Sequence, residues 1–512
     1  MAASRVICLL FALILVGGAS HALAQGVDHN TEPLIEAEGA DTGEGLADSA
    51  EEQEAAGTHG EEEDHGGGHA KVIPPVWLVA PFIILLLMIA TGPLFYVHHW
   101  HKHYPKYAVG LGLFVTVYYL FVLHDGISML HALQEYLSFI ALVASLFIAA
   151  SGIFLKVNAR GTPLTNISLL SVGAVIANLI ATTGAAMLFI RPYMRLNKGR
   201  LKAYHIVFFI FIVANVGGAL TPIGDPPLFL GFLRGVPFFW TATHVWYIWI
   251  PTMLALLAIF YVIDSRNKAR STTDISSGKT IELQGTRSFI FVVIIVFSVF
   301  IDPNVISALK GTPLDLVGTY HLPFGIREII MFSMCAIAFK FCDKEALTKN
   351  EFTFEPIREV GWLFLGIFAC MVPALALISN YAQSNADALT TTTFYWGTGA
   401  LSAILDNAPT YLNFLAAAMG KFNQDVNVAM DVQAFANSID SMLYLQAISV
   451  AAVFFGAMTY IGNAPNFMVK AIAESNNVDA PSFVGYLVKY GLTILLPVYA
   501  VVWLVFYSGW IL

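Results

Sequence analysis

Charge is what this chain has least of. Asp, Glu, Lys and Arg make up only 12% of its 512 residues, against 57% hydrophobic. A soluble multidomain enzyme carries roughly twice that charge, which sets that class aside. Clustered basic residues are lacking too. Lys and Arg are scattered through short polar stretches between apolar runs, whereas a nucleic-acid footprint needs them on one face. Cysteine is scarce: Cys8, Cys335, Cys342 and Cys370 show no metal-ligand spacing and read as packing residues.

What is present is a series of apolar runs, many long enough to cross a bilayer as helices. The fold class expected is an all-α polytopic membrane protein. Residues 1–24 read as a secretory signal peptide, with Arg5, an apolar stretch at 6–16 and Ala22-Leu23-Ala24 as cleavage site. A retained first helix is the alternative, though the run is short for a span. Cleavage places the mature N-terminus in the periplasm of a bacterial inner membrane, with an organelle as the second option. Residues 25–71 hold fourteen acids and one Lys, so the body from Val72 on carries +3 although the whole chain is −9. This tail, with His29, His59, His65 and His69, cannot bury enough apolar surface to fold alone. It reads as a solvated segment or as a periplasmic cation collector.

Basic loops mark the cytoplasmic side. The run 76–97 goes inward and ends at His98-His99-Trp100-His101-Lys102-His103, which reads as an interface anchor or a pH-sensing corner. Residues 107–123 return, 126–136 form an amphipathic surface turn, and 137–155 go inward. The spans 205–230 and 243–263 precede a polar cytoplasmic linker at 271–287. Further spans are expected at 288–301, 329–341, 360–378, 442–472 and 488–512. Two apolar stretches behave differently. Residues 164–190 have basic flanks on both sides and a polar interruption from Asn178 to Gly184. A re-entrant hairpin entering from the cytoplasm satisfies that parity, as would a pair of very short spans. Residues 393–419 are interrupted at Leu405-Asp406-Asn407-Ala408-Pro409-Thr410 and, as a hairpin, enter from the periplasm. Gly173-Ala174-Val175-Ile176-Ala177 also matches Gly399-Ala400-Leu401-Ser402-Ala403. The expectation is about ten transmembrane helices plus two re-entrant hairpins, arranged as an inverted-topology repeat.

Two spans are broken by Gly and Pro, at Gly217-Gly218-Ala219-Leu220-Thr221-Pro222-Ile223-Gly224-Asp225-Pro226-Pro227 and at Gly456-Ala457-Met458-Thr459-Tyr460-Ile461-Gly462-Asn463-Ala464-Pro465. Unwound backbone at membrane depth is tolerated only in protein or beside a water-filled cavity, and such breaks point to a binding site. The four interruptions bring Asn178, Thr182 and Thr183; Asn215, Thr221 and Asp225; Asp406, Asn407 and Thr410; and Thr459 with Asn463. Their oxygens are hard ligands suited to Na⁺ or Li⁺, with half-helix C-terminal ends adding negative partial charge. Asp225 and Asp406 are the acids at depth, paired as a two-carboxylate site, with Asn407 as a third Na⁺ ligand. Burial favours a carboxylate's neutral form and a cation favours its charged form, so such a group can bind a proton or Na⁺. Helix capping is the other reading of both acids. No Lys or Arg falls in the four interruptions, which argues against citrate-like substrates, although helix N-termini can hold carboxylates.

Asn215 to Pro227, Leu405 to Thr410 and Gly456 to Asn466 resemble the ion transporter superfamily. That group holds the D-type and E-type bacterial Na⁺/H⁺ antiporters, the arsenite permeases and the divalent-anion/Na⁺ and citrate carriers. The likeness covers roughly 137–512. It implies an elevator-type carrier, usually a homodimer, with a scaffold and a mobile transport domain bearing both hairpins. In those terms 72–136 and 288–359 are scaffold helices, and 137–270 and 360–512 are the two transport repeats. It assigns ion binding to Asn215, Thr221, Asp225, Asp406, Asn407, Thr410, Thr459 and Asn463. The first hairpin tip, Ala181-Thr182-Thr183-Gly184, departs from the Asp-Asn or Ser-Asn-Thr tips of the compared carriers. The function expected is Na⁺(Li⁺)/H⁺ antiport, with a Na⁺-coupled citrate, dicarboxylate or other anion carrier as the alternative. A sensor or channel-like subunit ranks below both. The partners expected are membrane lipids, a small inorganic cation and a second copy of the chain, with no nucleic acid, no enzymatic activity and no cofactor beyond the transported ions.

Overall fold

A computed structural model describes residues 73–273, 281–303 and 305–509. The signal-like segment 1–24, the acidic tail at 25–71 and residues 274–280 of the linker lie outside the described residues.

The chain is mainly helical, as apolar segments must be where no water can satisfy the backbone. Helices α1 (Ala80–Phe95), α2 (Val97–Phe121) and α3 (Gly126–Ser151) come first. They lead into α4 (Pro163–Leu196), α5 (Ala203–Ile212), α6 (Pro226–Arg234) and α7 (Trp240–Ser265). Then follow α8 (Ser288–Ser298), α9 (Ile326–Phe341), α10 (Glu355–Ser384), α11 (Thr391–Ser402) and α12 (Asn407–Lys421). The chain closes with α13 (Ala429–Asn437), α14 (Met442–Phe455), α15 (Ala464–Ser475) and α16 (Phe483–Phe506). Among the described residues six helices are long and apolar enough to cross a membrane, and the bent pair of α13 with Met442–Met458 would add a seventh. This is a multi-pass, helical membrane protein. Several expected spans fall short of full length for a physical reason: 205–230 and 442–472 are divided at their Gly and Pro breaks. The 11 residues of α8 rise only about 16 Å, against a hydrocarbon core of about 30 Å.

One local expectation is corrected and two further features are seen. The surface turn at 126–136 is the start of α3, capped by Asp125, whose carboxylate accepts from Ser128 N at 3.0 Å. The His cluster lies in the first turns of α2. An antiparallel pair, β1 (Phe154–Val157) with β2 (Ile281–Gln284), ties the end of α3 to the linker, in register from Phe154↔Gln284 to Val157↔Ile281. Lys156 and Glu282 clasp across it at 3.0 Å.

α2 and α10 approach closely because the contact is built of small residues. A Cβ on Gly366 would collide with the Ala108 backbone, the small-residue packing that membrane helices use. At the start of α9, Arg327 bonds Glu328 at 2.7 Å and Asp302 at 2.9 Å, and Ser138 of α3 bonds Glu328 at 2.6 Å. These buried charges are mutually paired, as burial demands.

α4 is the first hairpin. A straight helix of 34 residues would separate its ends by about 50 Å. Instead Asn166 and Asn197 exchange side-chain bonds of 2.9 and 2.7 Å, and Gly161 N donates to Leu196 O at 2.8 Å. The turn lies at Ile180 and Ala181, the latter at φ 63 and ψ 156, a conformation that L-residues rarely adopt. α11 and α12 form the second hairpin: Phe394 packs edge-on against Phe414 at 6.2 Å, and Lys421 Nζ reaches Ala386 O at 2.6 Å.

The two hairpins point in opposite directions. α7 starts beside the base of the second, where Trp240 Nε1 donates to Ala436 O at 2.7 Å and Phe435 packs on Phe422. It ends at the base of the first. There Asp264 accepts from Arg200 at 2.8 Å, Tyr204 at 2.6 Å and Asn166 at 2.9 Å, and sits 3.1 Å from His205. The 26 residues between those ends rise about 38 Å, the thickness of a bilayer.

Candidate functional site

The hairpin tips and the two broken spans converge, and a shared set of hydrogen bonds joins each tip to the break of its own half. Thr182 N donates to Gly224 O at 2.8 Å, and Asn407 N donates to Gly462 O at 3.1 Å. Thr221 Oγ1 donates to Asn178 O at 2.6 Å, and Thr459 Oγ1 to Ala403 O at 2.7 Å. Gly224 N and Gly462 N then donate back to those hydroxyls at 3.1 and 3.2 Å. The internal repeat therefore extends to individual bonds. Glycine is required at 224 and 462 because a Cβ there would meet the carbonyl oxygens of Gly218 and Gly456.

Each break strands backbone carbonyls, and the second helix after it supplies donors. For the first, Trp249 Nε1 of α7 donates to Val216 O at 2.7 Å and Thr241 Oγ1 to Leu220 O at 3.0 Å. The Asn178 amide adds two more bonds, donating to Gly217 O at 2.6 Å and accepting from Leu220 N at 2.9 Å. For the second, Tyr486 and Tyr499 of α16 donate to Ala457 O and Phe454 O at 2.8 and 2.7 Å. In lipid each such group left unpaired costs several kcal/mol. Trp249, Tyr486 and Tyr499 carry no signal in the sequence beyond ordinary aromatic content.

At the centre is Asp225, 1% exposed. It stands at the N-cap position of α6 but makes no cap bond. Its Oδ1 accepts from Thr182 Oγ1 at 3.0 Å and from Asn463 Nδ2 at 2.8 Å, and its Oδ2 accepts from Asn407 Nδ2 at 2.7 Å. Donors thus come from both hairpins and from the other break. The partner expected for Asp225 is Asp406; its side-chain hydrogen bonds come from Thr182, Asn407 and Asn463, the last its own repeat mate. Asp406, half-buried, caps α12 by accepting from Ala408 N at 3.0 Å. Among the described residues no Lys or Arg bonds Asp225.

The other expected residues divide by role. Asn215 accepts from Asn463 Nδ2 at 3.2 Å and so adjoins the carboxylate. Asn178, Thr221, Thr410 and Thr459 bond backbone: Thr410 Oγ1 reaches Asp406 O at 2.9 Å. Thr183 faces away, into an apolar crevice of about 20 Å³ against Phe139, Leu142 and Leu146 of α3. Asn466 was not singled out as a ligand, yet it bonds Asn215 at 2.6 Å.

The residues addressing Asp225 stand at half-helix N-termini: Thr182 just past the hairpin turn, Asn407 opening α12, and Asn463 at the N-cap position of α15, where its side chain makes no cap bond. Such ends carry positive partial charge and support a buried anion. Two buried acceptors are left over, Oδ1 of Asn407 and Oδ1 of Asn463, neither with a hydrogen-bond partner. Unsatisfied buried oxygens beside a carboxylate are the donor set a hard cation takes.

Over residues 71–507 the chain matches the family described as "Putative citrate transport", and it belongs to that family. No curated protein matches it. The family and the apolar helices together make the chain a membrane transporter.

Proposed function

We propose that the protein is a cation-coupled secondary transporter in which Asp225, with Asn407 and Asn463, binds Na⁺ or Li⁺ in place of a proton, giving Na⁺(Li⁺)/H⁺ antiport. The observation that carries this reading is the Asp225 carboxylate: buried and met by three neutral donors, two of them amides whose own oxygens lack hydrogen-bond partners. A charge at membrane depth is costly until neutralised. Without a basic partner, neutralisation falls to a proton or a small cation, and only one of them fits at a time. That competition is the minimum an exchanger needs. Asp406 on the second tip acts as the neighbouring carboxylate. The hairpins and breaks move together as an elevator against the scaffold helices of 72–136 and 288–359, in a homodimer of the bacterial inner membrane with a periplasmic N-terminus.

A Na⁺-coupled citrate or dicarboxylate carrier is the second reading. The family match favours it, as do the half-helix N-termini around the site, which hold carboxylates in other transporters. Proteoliposomes with an internal pH dye separate the two. Antiport predicts proton movement on adding Na⁺ or Li⁺ alone, lost in Asp225→Asn. Silence with cations alone, together with Na⁺-dependent uptake of labelled citrate, would establish the carrier instead.

A further inference from the structure

We propose that Asn466 fixes, through Asn215, which end of the Asn463 amide faces Asp225, and so sets the affinity of the site for its cation. The inference rests on the cation-site reading above. An amide has one accepting end and one donating end, and its partners decide which way it points. Asn466, fully buried in the first turn of α15, donates to two carbonyls of the second break, Gly456 O at 2.8 Å and Thr459 O at 2.9 Å. Neither carbonyl can pair with an oxygen, so Asn466 Oδ1 must face the other way. There it takes a hydrogen from Asn215 Nδ2 at 2.6 Å, and the second hydrogen of that group goes to Ile210 O at 2.8 Å. With both hydrogens committed, Asn215 presents Oδ1 to Asn463. The Nδ2 of Asn463 therefore turns inward, to Asn215 at 3.2 Å and to Asp225 at 2.8 Å, with a further 3.2 Å contact to Ala214 O. Its Oδ1 is left without a hydrogen-bond partner. Two backbone carbonyls thus dictate, three amides away, which atom meets the carboxylate and which oxygen stays free for the cation.

The relay exists in one repeat only. Asn466 follows the cap residue Asn463 by three positions, and the residue three after Asp225 is Leu228, buried and apolar. The half that lacks the acid is the half that has the relay. Asn466 is a positioning residue, since it touches neither Asp225 nor, on this reading, the ion.

The test compares Asn466→Ala with Asn466→Ser in proteoliposomes, reading half-saturating Na⁺ and maximal rate for Na⁺-dependent flux. Both remove similar volume, but only serine keeps an acceptor for Asn215. Alanine is expected to raise half-saturating Na⁺ about tenfold with maximal rate within about twofold, and serine to recover most of that loss. Adding Asn215→Ala to Asn466→Ala is expected to cost little more, because both act through one chain. Equal shifts in the alanine and serine variants, additive losses in the double variant, or reduced maximal rate at unchanged half-saturation would overturn the relay alone. A wild-type protein with no Na⁺-dependent flux of any kind would overturn the cation-site reading and the relay together.

Discussion

Asp225 and Asp406 both stand at the start of a half-helix, and the structure gives them different bonds. Asp406 caps α12 through Ala408 N, while Asp225 makes no cap bond and collects donors from three other segments. This separates a stability role from an ion role at position 406. Asn is as good an N-cap as Asp, so Asp406→Asn should fold to wild-type levels, whereas Asp406→Ala should lose about 1 kcal/mol of stability. If Asp406 acts as the neighbouring carboxylate, the asparagine variant should slow cation-dependent proton exchange about tenfold, a loss of about 1.4 kcal/mol in transition-state terms. Wild-type exchange from that variant would reduce Asp406 to a cap. At this scale the sequence identifies the residues, while its pairing of Asp225 with Asp406 misses the bonds to Thr182, Asn407 and Asn463. Asp225, Asn407 and Asn463 stand out because acid and amide groups are costly at membrane depth. That Asp225 pairs with Asn463 follows from the crossing of two inverted halves, and no local pattern encodes that crossing.

The four interruptions are legible as elements because Gly and Pro disrupt helices wherever they fall. What satisfies them is not. Trp249, Tyr486 and Tyr499 act from helices that follow each break, and aromatic residues in apolar runs are too common to announce the role. Removing a donor leaves a buried carbonyl unpaired, so Tyr486→Phe and Trp249→Phe should each cost about 1–3 kcal/mol, visible as lower melting temperatures in detergent. The first hairpin tip offers the opposite test. Ala181 holds φ 63 and ψ 156, strain of about 1–3 kcal/mol, while glycine's extra freedom in the unfolded chain costs about 0.5–1 kcal/mol. Strain wins, so Ala181→Gly should raise the melting temperature, and a fall would mean that the tip is relaxed in solution. The pair β1–β2 escaped notice because four residues at a helix end, facing four in a polar linker, give no strand-length pattern.

For the whole molecule, the charge parity around 164–190 foretold a segment whose ends lie on one side, and the Asn166–Asn197 bonds place them there. Asp264 was passed over because it closes an apolar run beside Arg266, where a solvated acid is the ordinary expectation; its partners Arg200, Tyr204, His205 and Asn166 lie far back in the chain. Opposed hairpins make a prediction about sidedness. In a background without the native cysteines, a membrane-impermeant thiol reagent applied from the periplasmic side should label Asp387→Cys, near the base of the second hairpin, and spare Thr162→Cys, at the base of the first. Labelling of both from one side would contradict the inverted arrangement. The central claim is that one buried carboxylate holds a proton and a cation by turns. The most direct measurement is proton release when Na⁺ is added to the purified protein in weakly buffered detergent solution. The account predicts release from the wild type, saturating with Na⁺ and absent in Asp225→Asn; equal release from both, or none from the wild type at any pH where it remains folded, would contradict it.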